Sequence, residues 1–194
     1  MPVPTIPHPS SSTTSTTSPT TKPLYFWRPH EEDTGYLGQW YPSRFTISGD
    51  TYATCEMWMM VQKARLFNDE NVAVQMLNTT DPKAHKALGR KVKGVENRMW
   101  DQRKFDVVVQ GNWHKFTVSE EAESLKKWLL ATGERELVEA SPMDRIWGVG
   151  FTERDAGANR HRWGQNLLGK ALMEVRARLR EEDSKGKKKE TESA

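Results

Sequence analysis

Helix punctuation constrains this chain more than any other feature. Thr54, Asn68 or Asp69, and the pair Asp81-Pro82 stand where N-caps belong, and Gly89 and Gly133 stand where helices stop. A capping side chain satisfies the free amides of a first turn, proline presets the first helical residue, and glycine accepts the left-handed exit. The middle of the chain must therefore fold as a series of short helices. The spacing predicts them over 55–67, from 68 or 69 to 77, over 82–89 and over 119–131, with a longer and mostly helical stretch over 95–116. A last helix over 166–180 sets Leu168, Ala171, Leu172, Val175 and Leu179 at i, i+3, i+4, i+7 and i+11, a single apolar stripe. Leu24-Tyr25-Phe26-Trp27 reads as a strand, and Phe45-Thr46-Ile47 with Thr51-Tyr52 flanks Ser48-Gly49-Asp50 as a hairpin. After the loop at Ser141-Pro142, residues 145–150 read as a further strand. The expected fold class is α+β, predominantly helical, a single domain with a small β-sheet.

The ends of the chain behave differently. Residues 1–22 hold twelve Ser or Thr and five Pro, with no aromatic residue and only Lys22 charged. Such a segment buries too little apolar surface to offset the entropy of ordering, so a disordered tail is expected there. A charged, low-complexity tail is expected over 183–194, which leaves 23–182 as the folded unit. One cysteine excludes an internal disulfide framework and a Cys-rich zinc site. The five histidines, at 8, 30, 85, 114 and 161, show no ligand spacing, so no metal is expected. No apolar run approaches the roughly 20 residues that cross a bilayer, and the amino terminus lacks a secretory pattern. The expectation is an intracellular protein, of cytoplasm or nucleus, with no membrane partner. A net charge of +3 permits phosphate binding without marking a nonspecific nucleic-acid coat. Gly148-Val149-Gly150 lacks the third glycine of a dinucleotide loop and no P-loop is present, so no cofactor is expected.

The helix after Thr54 breaks the apolar pattern. Glu56, Met60, Lys63 and Phe67 fall on one face, so an acid and an amine share a stripe with Met and Phe. Seven residues separate the charges by roughly 10 Å along the axis, too far for a snug ion pair unless both lean inward. Both heads either snorkel to solvent or face a pocket; in a pocket, burial favours the neutral, nucleophilic amine of Lys63. Arg90, just after Gly89, either grips a phosphate or is solvated beside Lys91 and Lys93. Trp100-Asp101 reads as a stacking ring beside a carboxylate or as a core indole. Asp144 and Trp147 lie in a Pro- and Gly-flanked loop, where ligand-facing side chains concentrate. Cys55 has no neighbouring histidine to act as base and reads as a small buried residue. Eight tryptophans in one small domain raise the question of where they sit, since indoles serve as core filler and as stacking platforms.

Several separated motifs resemble one family. Gly38-Gln39-Trp40-Tyr41-Pro42-Ser43-Arg44-Phe45, the run from Tyr52 to Ala64, Leu88-Gly89-Arg90-Lys91-Val92, Trp100, Ala131-Thr132-Gly133, the run from Leu137 to Gly150, and that from Asn166 to Arg176 are similar, in order, to the NADAR or YbiA-like proteins over about residues 25–180. The resemblance implies an N-glycosidase that cuts the bond between a ribose anomeric carbon and an exocyclic amine. Such enzymes act on phosphoribosylamino intermediates of riboflavin synthesis, or remove ADP-ribose from guanine bases in nucleic acid. Breaking such a bond needs a proton on the departing amine and stabilisation of positive charge at the anomeric carbon. On that chemistry Lys63 attacks as an amine and Glu56 shuttles protons; the rival is direct attack by water with Glu56 or Asp144 as base. Trp100 and Trp147 would stack on the base or wall the ribose, and Arg90 would hold a phosphate. Gly38, Ser43, Tyr52, Asp101, Gly148 and Asn166 complete the implied substrate-binding set. The chain departs from the family at Gln39-Trp40, where Asn-Phe is common, and at Arg44, where Pro is frequent; both changes fall in the ligand-facing loop and bear on substrate choice. With its Ser/Thr-rich and charged tails and no fused riboflavin-pathway domain, the chain is expected to remove ADP-ribose from guanine in DNA or RNA. Action on riboflavin intermediates and noncatalytic ADP-ribose binding are the alternatives.

Overall fold

The caps act as the spacing requires. The computed structural model describes residues 22–192, in the order β1 (Leu24–Phe26), β2 (Phe45–Ile47), β3 (Asp50–Tyr52), α1 (Cys55–Leu66), α2 (Glu70–Leu77), α3 (Pro82–Gly89), α4 (Asn97–Thr117), α5 (Ala122–Ala131), β4 (Leu137–Glu139), α6 (Glu153–Ala156) and α7 (Leu167–Glu192). Apart from Lys22, the tail expected over 1–22 lies outside the described residues. The Thr54 hydroxyl accepts the Met57 amide at 3.1 Å, Asp69 accepts Val72 N at 3.3 Å, and Asp81 accepts Lys83 N at 2.9 Å. At the hairpin tip Ser48 and Gly49 both have positive φ, 52° and 89°, as a two-residue turn between right-twisted strands demands. The hairpin pairs Phe45 with Tyr52 and Ile47 with Asp50, so Asp50 belongs to the strand.

The strands form two separate two-stranded sheets. The β2–β3 pair is antiparallel, and β1–β4 is parallel with Leu24 opposite Leu137 and Phe26 opposite Glu139. The apolar residues divide accordingly into two main clusters. One packs Phe26 and Leu137 against Val108, Val109, Phe116, Leu125, Leu129 and the 168/171/172/175/179 stripe of α7, all fully buried or nearly so. The other packs the β2–β3 hairpin against Met57, Trp58, Val61, Ala64, Val72, Ala73 and Met76. Helix α1 is the seam, giving Met59 to the first cluster and Met57, Trp58, Val61 and Ala64 to the second.

Four differences separate the structure from expectation. Residues 145–150 are a bent loop, not a strand. Asp144 Oδ1 takes the amides of Ile146 and Trp147, both at 2.8 Å, while the carbonyls of Ile146 and Trp147 receive the first amides of α7 from Leu167 and Leu168. With these groups committed to a turn and a helix cap, none is left for a ladder. Second, the strand that does form here is Leu137–Glu139, too short to show alternation. Third, α5 begins at Ala122, not 119, because the Ser119 amide and hydroxyl bond back to His114 O and Lys115 O at the end of α4. Fourth, α7 continues past 182 to Glu192. Lys- and Glu-rich sequence builds no core but favours helix, and pairs such as Glu181–Lys185 support the extension.

Candidate active site

A cavity of about 400 Å³ opens where the seam helix meets the β1–β4 pair. Its wall is assembled from five pieces of chain. Trp27, Arg28 and Pro29 follow β1; Gln39 and Trp40 precede β2; Glu56, Met59 and Met60 lie on α1; Lys86 reaches in from α3; and Glu139, Ser141, Asp144 and Trp147 come from the end of β4 and the loop after it. Three of the eight tryptophans thus surround one opening. Two are capped by cations: Arg28 lies over the Trp27 ring at 4.4 Å and Lys86 over Trp40 at 4.9 Å.

The polar groups are held at fixed angles. The Glu56 amide donates to Gln39 O at 3.0 Å, which locks the start of α1 to the loop before β2. From beneath, α4 pins the same loop: Lys115 Nζ donates to Gly38 O at 3.0 Å, and Asn112 Nδ2 donates to Gln39 Oε1 at 3.3 Å. Gln39, only 8% exposed, lines the cavity, and its buried Nε2 has no partner among the described residues. Across the opening, Asn166 clamps β4. Its Oδ1 accepts the Glu139 amide at 3.0 Å and its Nδ2 donates to Leu137 O at 2.9 Å, with the Asn166 backbone itself in the left-handed region at φ 51°. Gly148 lies against the same strand end: a Cβ there would come within 2.8 Å of Glu139 O and 3.1 Å of Asp144 O. The Glu139 Oε2 atom is sealed from solvent and, among the described residues, has no partner.

Three carboxyl groups thus share one hollow. Burial pushes Glu56 up to about 7; the nearby Lys86 charge pulls it down, Asp144 adds to the rise, and the Trp40 indole lowers it again. Burial likewise pushes Glu139 up to about 8, with Asp144 and then Glu56 adding to the rise. One acid poised near neutrality beside another that stays protonated is the arrangement acid–base chemistry requires. Among the described residues, no group of three or more His, Cys, Asp or Glu is arranged to hold a metal ion, and no helix is long and apolar enough to cross a membrane.

The residues singled out from the sequence distribute unevenly. Glu56, Asp144 and Trp147 line the cavity. Lys63 lies one turn beyond cavity-lining Met60, half-buried, with Nζ 5.4 Å from the Trp100 ring centre, so lysine and indole do meet each other. Asp101 pairs with Lys104 at 2.7 Å, and Arg90 is exposed at the end of α3. Gly38 and Asn166 border the site as supports for Gln39 and Glu139, and Gly148 as a close backbone neighbour. Ser43 is buried, its hydroxyl donating to Tyr41 O at 3.2 Å. Tyr52 belongs to the second core, where its hydroxyl accepts from Arg65 and Gln62. Gln39, Trp40, Lys86, Glu139, Trp27 and Arg28 were not singled out as site residues from the sequence. A signal existed for Glu139, a charge ending the apolar pair Leu137-Val138; Lys86 reads as an ordinary surface lysine.

The sequence matches the NADAR domain family over residues 25–180. The chain belongs to the NADAR family. Among similar proteins, N-glycosidase R617 of Acanthamoeba polyphaga mimivirus is 37% identical over 166 residues, covering 81% of this chain and 96% of the viral protein. N-glycosidase YbiA of Escherichia coli strain K12 is 31% identical over 133 residues, covering 69% of this chain and 74% of YbiA. The riboflavin biosynthesis protein VVA0006 of Vibrio vulnificus is 31% identical over 163 residues, 82% of this chain but only 39% of that longer protein. The NMR structure of E. coli YbiA shares the fold with a TM-score of 0.68 at 27% identity, over 84% of this chain and 88% of YbiA. Membership of NADAR, with relatives named N-glycosidase, makes this chain an enzyme that hydrolyses N-glycosyl compounds, and the α+β fold is that of YbiA.

Proposed function

We propose that this NADAR enzyme hydrolyses the bond between ribose C1 and an amine in phosphate-bearing ribosides, and that its substrate is ADP-ribosylated guanine in nucleic acid. The observation that carries the reading is the pairing of a buried, near-neutral Glu56 with three indoles and two cations around one cavity. Indoles stack on a base or wall a ribose, and Arg28 and Lys86 meet the negative charge of a pyrophosphate. In this reading Arg28 and Lys86 take the phosphate-holding part that the sequence suggested for Arg90.

Glu56 takes a proton from the attacking group and Asp144 supports the positive charge developing at C1. Lys63 is the proposed nucleophile. It shares its helix face with cavity-lining Met60, and its butyl stem spans the single turn of about 5 Å between them when the amine leaves Trp100. Borohydride trapping tests this step. A reduced sugar adduct on Lys63 is expected; full activity in Lys63→Ala with no adduct would leave water, activated by Glu56 or Asp144, as the nucleophile.

A second reading is favoured by the Vibrio relative, whose name assigns it to riboflavin biosynthesis. The deciding experiment offers the purified protein an ADP-ribosylated guanosine oligonucleotide and a phosphoribosylamino pyrimidine, and compares kcat/KM. Release of ADP-ribose with the higher kcat/KM supports the first reading, and the opposite ranking supports the second. Tight ADP-ribose binding with no release from either would mark a noncatalytic reader.

A further inference from the structure

We infer that Glu139 is the proton donor to the departing amine, a catalytic residue distinct from Glu56, and that Gln39 is the donor that holds the sugar against it. The inference rests on the N-glycosidase reading above and assigns the half of the reaction that reading leaves open.

Two buried hydrogen-bonding atoms in one cavity carry it. Glu139 Oε2 and Gln39 Nε2 are both sealed from solvent, and both lack a partner among the described residues. Both side chains line the cavity, and burying such atoms unpaired costs about 1–3 kcal/mol each, so a wall that keeps two of them is shaped for a guest that pairs them after a small side-chain rotation. Each residue is anchored at the wall, Gln39 through its side-chain oxygen and Glu139 through its backbone. Gln39 spends its oxygen on Asn112, while the strand under Glu139 is held by Asn166 on one side and, through its own carbonyl, by the Val149 amide at 3.0 Å. The titratable and charged groups facing the same hollow are Arg28 after β1, Glu56 on α1, Lys86 on α3 and Asp144 in the loop after β4. Burial above all, and then the Asp144 and Glu56 charges, oppose ionisation of Glu139, which thus retains its proton up to about pH 8. Lys86 acts chiefly on Glu56, so the two acids differ in role: one gives a proton and one takes it.

The step balances. As the C1–N bond breaks, its electron pair stays on the departing nitrogen, which receives the Glu139 proton. The attacking group forms its bond to C1 and gives its own proton to the Glu56 carboxylate. Where the attacking group is Lys63, a water then adds to C1 as the C1–Nζ bond breaks and its proton returns to the amine; by either route one water is consumed, and one free sugar and one amine are released. The proton on Glu56 then passes to Glu139 and restores both.

The test measures initial rates of the full chain and of Glu139→Gln on both substrates named above, from pH 5 to 10. Glutamine keeps the shape but has no proton to give. Loss of kcat by about 10²–10³-fold is expected, with KM within about threefold, the range typical of a lost general acid. The parent rate is expected to fall above about pH 8, and that basic limb is expected to vanish in Glu139→Gln. Glu139→Asp, which restores an acid, is expected to recover the limb and part of kcat. Glu139→Gln with kcat within threefold of the parent would overturn the inference, as would a large loss that leaves the basic limb in place. A thermal melt separates misfolding from lost chemistry, and if Glu139→Gln fails to fold, the limb in Glu139→Asp decides: its absence there overturns the assignment. If the unaltered chain releases sugar phosphate from neither substrate, the N-glycosidase reading fails and takes this assignment with it; if it turns over either, Glu139 is judged on that substrate alone.

Discussion

The two ends of α1 carry charge in opposite ways. Near its start, Glu56 is buried, sits beside two other acids and faces a cavity. Near its end, Arg65 donates to Glu70 at 3.0 and 3.2 Å, to Asp50 at 2.8 Å and to the Tyr52 hydroxyl at 3.2 Å. Those hydrogen bonds hold the guanidinium proton more firmly than usual. The Arg65 end is closed: every strong group has a partner, and the network ties the hairpin, α1 and α2 together. The Glu56 end is open: its carboxyl meets the Trp40 indole at the cavity wall, and in the proposed reaction a substrate completes its pairing. One helix therefore serves as a girder at one end and as a tool at the other, and the two kinds of polar cluster are told apart by whether their hydrogen-bonding capacity is already spent.

Breaking the open end should leave folding intact. Glu56→Gln is expected to lower kcat about 10³-fold, roughly 4 kcal/mol of transition-state stabilisation, while Tm stays level or rises. Release of ADP-ribose and a thermal melt check the two halves; a large fall in Tm would make Glu56 part of the girder. The closed end should respond the other way. Arg65→Met leaves Asp50 and the buried Tyr52 hydroxyl short of a donor, and a loss of about 2–3 kcal/mol, or roughly 6–9 °C in Tm, is expected with kcat unchanged.

Acid titration sharpens the contrast. Glu139 has a folded-state pKa near 8 against an ordinary 4.5, so its contribution to stability is fully present below pH 4.5 and is lost as pH rises through 8. The parent is expected to lose on the order of 4 kcal/mol between pH 5 and 9 from this residue, and Glu139→Gln is expected to remove that part of the slope. Melts at five pH values would show it, and identical slopes would sink it. The smallest effect belongs to the mouth: Lys86→Met is expected to raise KM about tenfold, near 1.4 kcal/mol, with little change in kcat. A KM unchanged at constant ionic strength would remove Lys86 from phosphate binding.

Much of the architecture is written locally, and much of the cavity is not. Thr54, Asp69 and Asp81 cap within three residues of themselves, and Ser48-Gly49 turns a hairpin whose strands are adjacent in the chain, so neighbours alone specify these features. Glu56 was conspicuous because an acid on an apolar helix face violates the pattern. Glu139 was not, because its strand is three residues long and its partner strand lies more than a hundred residues earlier. Gln39 stands in the loop that departs from the family pattern, but its buried nitrogen, without a partner among the described residues, is a consequence of Asn112 occupying the oxygen, a contact across 73 positions. Residues 145–150 differ from expectation for a related reason: β-branched and aromatic residues near glycine suit a strand equally well until the Asp144 side chain claims their amides.

The lysine that pins the Gly38 carbonyl has a consequence beyond architecture. Lys115 is wholly enclosed, and its burial lowers its pKa to about 8, so in the closed domain a ready nucleophile is stored behind the cavity floor. An acylating reagent can reach it only when α4 and the loop before β2 part. Its labelling rate is then a clock for breathing of the active-site floor, and a bound sugar phosphate that grips Gln39 should slow that clock.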